Sequence, residues 1–394
     1  MSSERIRGKS VEHGGNIYRL AEELNMQERN MLDFSAPVNP MGVSKKVKAE
    51  LRRNLKYLDH YPDPDSKRLR KRLAQYHGID TGTILCGNGS TELIYLLART
   101  LKPGRVLIPV PAFPEYERAC TTSCNSQVTS YGLKEENSFE MDPENFIGAM
   151  EGKLLDQSPR PSGSIPPSPP FFDMVFLCNP NNPTGTLMKK DAVLRIADAA
   201  RAMKSYLVVD EAYMDFCPDE SVIRDVEHNP YLIVLRSMSG FYAIPGLRLG
   251  YGVFPGNLTA GLQNQKEPWT VNSLSQRAAV VALKDKVFRK ESLKFIAGEK
   301  RFLEKNFRKL CIDFFSPAAH FYLVKMDNAD EIRRQLSTRG ILVRNCEDFR
   351  GLDSSYIRIS VRSHRENTVL VKALESILRN NISRDRIECP SGNL

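Results

Sequence analysis

Between residues 105 and 236 short apolar runs alternate with helical patterns at a spacing that leaves few folds open. Residues 105–110, 173–178, 206–210 and 232–236 are each apolar at nearly every position, the signature of strands buried on both faces. Between the last of these lie longer stretches of helical period, residues 190–203 being the clearest. Strand, helix and strand in this rhythm predict an α/β fold with a mostly parallel sheet and helices on both faces. Such sheets bind ligands at the carboxyl ends of their strands. The residues that directly follow each strand are therefore the first candidates for a site.

Those residues are unusual. Cys178-Asn179-Pro180-Asn181-Asn182-Pro183-Thr184-Gly185 follows one strand, Asp210-Glu211-Ala212-Tyr213 ends another, and Ser237-Met238-Ser239-Gly240 follows a third. Gly246-Leu247-Arg248-Leu249-Gly250 comes shortly after. Upstream, Gly87-Asn88-Gly89-Ser90-Thr91-Glu92 leads into a helical run. Backbone N–H groups of Gly89, Ser90 and Thr91 at a helix start could cradle a phosphate, although the same residues also make an ordinary helix cap. Asp210 alone would read as a strand-end turn residue, and the asparagine patch alone as a turn.

Together the patches resemble the cofactor cradle of the class I/II aminotransferase family, enzymes that use pyridoxal 5′-phosphate (PLP) on the PLP-dependent transferase fold type I. The resemblance implies a large domain with a mostly parallel sheet plus a smaller α+β domain. It implies that Asp210 pairs with the pyridine nitrogen of PLP, that Asn182 and Tyr213 bond the phenolic oxygen, and that Ser237 and Arg248 join Gly89, Ser90 and Thr91 around the phosphate. Phe113 would stack on the ring, with a plain core aromatic as the alternative. Tyr61, in His60-Tyr61-Pro62-Asp63-Pro64, would reach the phosphate of a neighbouring subunit, which makes a homodimer with shared sites the expected assembly. In this family the position of Gly240 is the lysine that holds PLP as a Schiff base. The chain has the cradle without that anchor.

Within the family, the strings His13-Gly14-Gly15-Asn16, Leu32-Asp33-Phe34-Ser35, residues 241–251 (FYAIPGLRLGY) and Pro268-Trp269-Thr270-Val271-Asn272 are similar to the threonine-phosphate decarboxylases of cobalamin biosynthesis. That similarity implies decarboxylation of L-threonine O-3-phosphate to (R)-1-aminopropan-2-yl phosphate, with Arg344, Arg358 and His13 on the substrate and Arg362 as a helper. Histidinol-phosphate aminotransferases share the PLP motifs and supply the alternative activity. Two departures stand out. Pro37 replaces the usual asparagine and removes an amide, which leaves serine phosphate and threonine phosphate both open as substrates. Gly240 can neither anchor the cofactor nor carry a proton to the substrate Cα, and Lys266 is the nearest downstream lysine. The chain is expected to bind PLP non-covalently and to turn over very poorly. A non-catalytic protein that binds PLP or a phosphoamino acid is the third reading.

The length of 394 residues suits two associated lobes. The expected division is an N-terminal arm and part of the small domain at 1–45, a large PLP-binding domain at 46–286, a C-terminal small domain at 287–380 and a tail at 381–394. Residues 157–170 (QSPRPSGSIPPSPP) read as an exposed inserted loop. The net charge of +9 comes without an RGG run, zinc-finger spacing or long basic block, so it favours small anionic ligands over nucleic acid. None of the eight cysteines forms a C-x-x-C pair. They read as reduced, mostly buried thiols of a cytoplasmic protein, and no metal site is expected. The N-terminus lacks the apolar stretch of a signal peptide, and no apolar run is long enough to span a membrane.

Overall fold

The computed structural model describes residues 14–153 and 172–382. Its centre is a seven-stranded sheet formed by β1 (Ile84–Gly87), β2 (Arg105–Val110), β3 (Gln127–Gly132), β4 (Met174–Cys178), β5 (Tyr206–Asp210), β6 (Leu232–Ser237) and β7 (Gly250–Val253). The strand order is β1-β7-β6-β5-β4-β2-β3. All neighbours pair in parallel except β7, which runs antiparallel to both β1 and β6. The four strands expected from the sequence are all present, and the expected helix is observed as Lys190–Met203.

The apolar runs are continuous because both faces of the sheet are covered. Leu107, Val175, Leu177, Leu207, Val209 and Val234 point into one core, with Val193 and Ile196 of the helix Lys190–Met203. The alternate residues Val106, Ile108, Phe176, Val208, Ile233 and Leu235 point into the other. There they meet Leu93, Ile94 and Leu97 of α1 (Ser90–Leu101) and Tyr116 and Ala119 of α2 (Glu115–Cys124). A strand of period two with no polar face can rest only in such a layer.

A second, antiparallel sheet contains β8 (Asp313–Phe314), β9 (Phe321–Lys325), β10 (Arg344–Asn345) and β11 (Tyr356–Ser360) in the order β10-β11-β9-β8. The helices Lys286–Lys309 and His364–Ile382 share a core with it, through Leu303, Phe307, Leu370, Leu374 and Ile377. Phe34 lies in that same core, and Leu32–Asp33 pairs in parallel with Ile341–Leu342. The segment after Asp33 is thereby led from the second sheet to the strand ends of the first. The 157–170 insertion, His13 and the tail beyond Ile382 lie outside the described residues.

One charged cluster is sealed beneath the strand ends. Arg236 of β6 is 2% exposed, with Nη1 2.9 Å from Glu211 and Nη2 3.2 Å from Asp215. Glu211 also accepts from the Ser221 hydroxyl at 2.6 Å and the Val222 N–H at 2.8 Å, and Asp215 accepts from the Tyr242 hydroxyl at 3.2 Å. One guanidinium thus joins the loop after Asp210 to the loop that carries Gly240. Among the described cysteines the expectation of reduced thiols fails at Cys311. Cys86, Cys120, Cys124, Cys178, Cys217 and Cys346 are free thiols, but Cys311 is disulfide-bonded. Among the described residues, no helix is long and apolar enough to cross a membrane.

Removing one partner of a buried ion pair strands the other charge. Glu211→Ala is expected to cost about 3–5 kcal/mol, read by urea unfolding against an exposed control such as Glu144→Ala, which should change little.

Candidate active site

The ends of β1, β4, β5 and β6 open onto one cavity of about 270 Å³. Gly89, Ser90, Thr91, Phe113, Asn182, Asp210, Tyr213, Ser237, Arg248, Arg344 and Arg358 all line it, so eleven of the residues marked out in the sequence meet in one place. Ser35, Pro37, Tyr116, Ser239 and Phe349 complete much of its wall.

At one end two glycines permit a close approach. Gly89 caps α1 with φ +82°, a conformation natural to glycine. A β-carbon there would strike the Arg248 guanidinium, and one on Gly250 would strike the backbone N–H of Ser90. The first turn of α1, the start of β7 and Arg248 are therefore packed together. The free N–H groups of that turn, the guanidinium and the Ser237 hydroxyl form a donor set suited to a phosphate dianion.

Asp210 enters the same cavity from β5. Its carboxylate accepts from the Tyr116 hydroxyl at 2.7 Å and from the Ala212 N–H at 3.0 Å. Burial nonetheless pushes its pKa up to about 6, because two neutral donors do not replace the water removed. Such a carboxylate has room for one cationic partner, and a protonated pyridine nitrogen is such a partner. Tyr213 packs edge-on to Phe321, with ring centres 4.9 Å apart. Burial raises its phenol to about 12, so it stays protonated and able to donate. This donor set fits PLP: a phosphate cradle, a buried carboxylate, and Tyr213 with Asn182 on the same wall.

The two arginines of the second sheet differ in their partners. Arg344 of β10 is held bidentately by Asp348 at 2.7 and 2.8 Å. Arg358 of β11 donates to the Asn182 side-chain oxygen and, at 2.8 Å, to the Ser35 carbonyl. Its Nε has no partner, and burial lowers its pKa. Arg358 therefore carries an unneutralised charge into the cavity, whereas Arg344 must share or leave Asp348 to bind an anion. Arg362 does not line the cavity and pairs with Glu366 at 3.1 Å.

A β-carbon built on Gly240 would lie 3.0 Å from the Pro37 carbonyl oxygen and 3.8 Å from the rings of His320 and Tyr213. Lys266 sits elsewhere: its ammonium is 3.3 Å from Glu92 and bonds to Thr270. No lysine is among the described residues that line the cavity. Tyr61 is 82% exposed, rests on the ring of Trp269 at 5.0 Å and lies outside this cavity.

Sequence reasoning missed Tyr116 and His320. Tyr116 was within reach, being in the first turn of α2 and only three residues after Phe113, against whose ring it packs edge-on at 5.6 Å. His320 had no local signal. It comes from the loop before β9, fully buried and stacked on Phe216 at 4.4 Å, and burial lowers its pKa to about 3.

Residues 29–376 match the model of the aminotransferase class I and II family. The chain is 36% identical over 370 residues to the threonine-phosphate decarboxylase of Salmonella typhimurium, covering 93% of this chain and 96% of the relative. It is 35% identical over 325 residues to a histidinol-phosphate aminotransferase of Caldanaerobacter subterraneus, covering 82% and 85%. The crystal structure of L-threonine-O-3-phosphate decarboxylase from Porphyromonas gingivalis superposes with a TM-score of 0.74 at 30% identity, covering 89% of this chain and all of that one.

The raised pKa of Asp210 has a defined effect on the ligand-free chain. The folded state holds the proton more tightly than the unfolded state, so the group's stabilisation is complete below its ordinary value of 3.8 and lost as pH rises through about 6. The loss amounts to about 3 kcal/mol. In Asp210→Asn that part of the fall is absent, which parallel urea titrations at pH 4 and pH 7 will measure.

Proposed function

We propose, for a chain that belongs to the aminotransferase class I and II family, that its scaffold is a PLP-dependent decarboxylase of L-threonine O-3-phosphate and that its present site binds better than it turns over. One observation carries this reading. A single cavity holds a phosphate cradle at Ser90, Thr91, Ser237 and Arg248, a buried carboxylate at Asp210, and a separate cationic wall at Arg344 and Arg358. The cofactor needs the first two, and a doubly anionic substrate needs the third.

Bound PLP supplies the electron sink into which the Cα–carboxylate bond can break. Asp210 would hold the pyridine nitrogen protonated, and Tyr213 and Asn182 would hold the phenolic oxygen. Phe113, on the same cavity wall, would stack on the ring. Arg358, with Arg344, fixes the substrate anions, so that one Cα bond is presented for cleavage. Loss of carbon dioxide would leave Cα in need of a proton to give (R)-1-aminopropan-2-yl phosphate, used for the aminopropanol arm of the corrinoid in cobalamin biosynthesis. A lysine would anchor the cofactor and deliver that proton. Glycine at 240 does neither.

Residues 46–286 serve in this reading as the cofactor-holding unit and 287–380 as the smaller one. Tyr61, exposed on this chain, would complete the phosphate site of a second copy, making the working unit a homodimer. The identity to a histidinol-phosphate aminotransferase favours a second reading, in which the Cα–H bond breaks instead. Gly240 favours a third, a protein that binds PLP or a phosphoamino acid without catalysis.

These readings separate when PLP and methylamine are supplied together, the free amine standing in for the missing side chain. The expected outcome is slow CO2 release from L-threonine O-3-phosphate, with no amino transfer from histidinol phosphate to 2-oxoglutarate. Amino transfer would establish the second reading. A rise in melting temperature with PLP but neither reaction would establish the third.

A further inference from the structure

Pro37 and Gly240 both depart from the pattern of the resembled enzymes, they lie far apart in sequence, and in the structure they touch. The Val38 N–H bonds the Ala36 carbonyl at 2.9 Å, a three-residue turn with Pro37 at its centre. That turn needs a central φ near the value to which the proline ring is fixed. The carbonyl of Pro37 is thereby aimed at residue 240, with its oxygen 3.0 Å from where a β-carbon would stand.

The segment around this turn cannot simply swing away. On one side Asp33 accepts from the N–H of Ser35 at 2.8 Å and from its hydroxyl at 2.6 Å, while Arg358 holds the Ser35 carbonyl at 2.8 Å. On the other side the Asn39 N–H bonds the Gly240 carbonyl at 2.9 Å, and its side-chain amide bonds the Phe241 carbonyl and the Ser292 hydroxyl, each at 2.8 Å. Asn39 is 1% exposed. A β-carbon at 240 would also rest in contact, at 3.8 Å, with the rings of Tyr213 and His320, the latter braced by Phe216. The backbone at Gly240 is not in the left-handed region, so it is the surroundings and not its own conformation that disfavour a side chain there.

We infer that Pro37 fits this site to glycine: its turn places a backbone carbonyl where the stem of a residue-240 side chain would pass, so the cofactor hold is non-covalent by the build of the 33–39 segment as well as by the missing amine. The inference rests on the proposed reading of position 240 as the family's anchor position.

The test is a cycle of variants on the full chain, with two readouts that need no turnover. Gly240→Ala adds only the β-carbon. In a backbone of this kind alanine is ordinarily the more stable residue, yet here it is expected to lower the melting temperature by about 3 °C. In Pro37→Ala, where the turn can open, the same change is expected to be neutral or stabilising. The second readout uses Gly240→Lys. Its amine can add to the PLP aldehyde and lose water, and borohydride then reduces the C=N bond, leaving a permanent mass increase of one phosphopyridoxyl group. Labelling is expected to be at least tenfold slower in Gly240→Lys than in Pro37→Ala/Gly240→Lys. Equal effects of Gly240→Ala in both backgrounds, or labelling of both lysine variants at the same rate, would overturn the inference. If the melting temperatures show the coupling but neither lysine variant is labelled, the inference about Pro37 stands and the reading of 240 as the anchor position falls.

Discussion

A guanidinium with almost no access to water lies beneath the rim of the cavity, and two of the rim's loops depend on it. Arg236 can remain buried only because Glu211 and Asp215 meet it there. Glu211 directly follows Asp210, and Asp215 is two residues past Tyr213. Through its hydrogen bond from Tyr242, Asp215 also reaches the turn that begins at Gly240. Each carboxylate therefore does two things: it balances a charge and fixes the path of a loop. This gives the strand ends a rigidity that loops seldom have.

Above that clamp the cavity wall is electrostatically incomplete. Asp210 is a carboxylate held by neutral donors, and Arg358 is a cation held by neutral acceptors. Each is displaced from its usual pKa by burial, in the direction that disfavours its charge. A ligand with a cationic ring nitrogen and an anionic substituent relieves both. The free chain carries a cost that a ligand of the right polarity removes, and this cost is a source of selectivity between ligands of equal size.

Much of this was legible in the sequence, for a physical reason. Strands buried on both faces must be written as unbroken apolar runs, so β2, β4, β5 and β6 could be placed almost to the residue, and their carboxyl ends marked Asn182, Asp210 and Ser237. The glycines of the phosphate end were visible because close backbone approach admits no other residue. The second sheet was less legible. Arg344 and Arg358 were named through resemblance, and nothing local distinguishes an arginine paired with Asp348 from one left to a side-chain amide and a carbonyl. His320 was invisible, since its place beside residue 240 depends on how one sheet rests over the ends of the other. The Cys311 disulfide contradicts the expectation of eight reduced thiols. That expectation came from composition, and composition carries no information on which sulfurs are neighbours.

The contacts of Gly89 and Gly250 give the rim a lopsided tolerance to mutation. A single methyl at either position would drive Arg248 or the first turn of α1 outward and open that end of the cavity, although no polar group had been deleted. Position 240, by contrast, carries no side chain at all, and Asn182, Asp210, Tyr213, Ser237 and Arg248 converge regardless. The convergence of these side chains thus tolerates glycine at 240, whereas the rim is vulnerable to the smallest addition at 89 or 250.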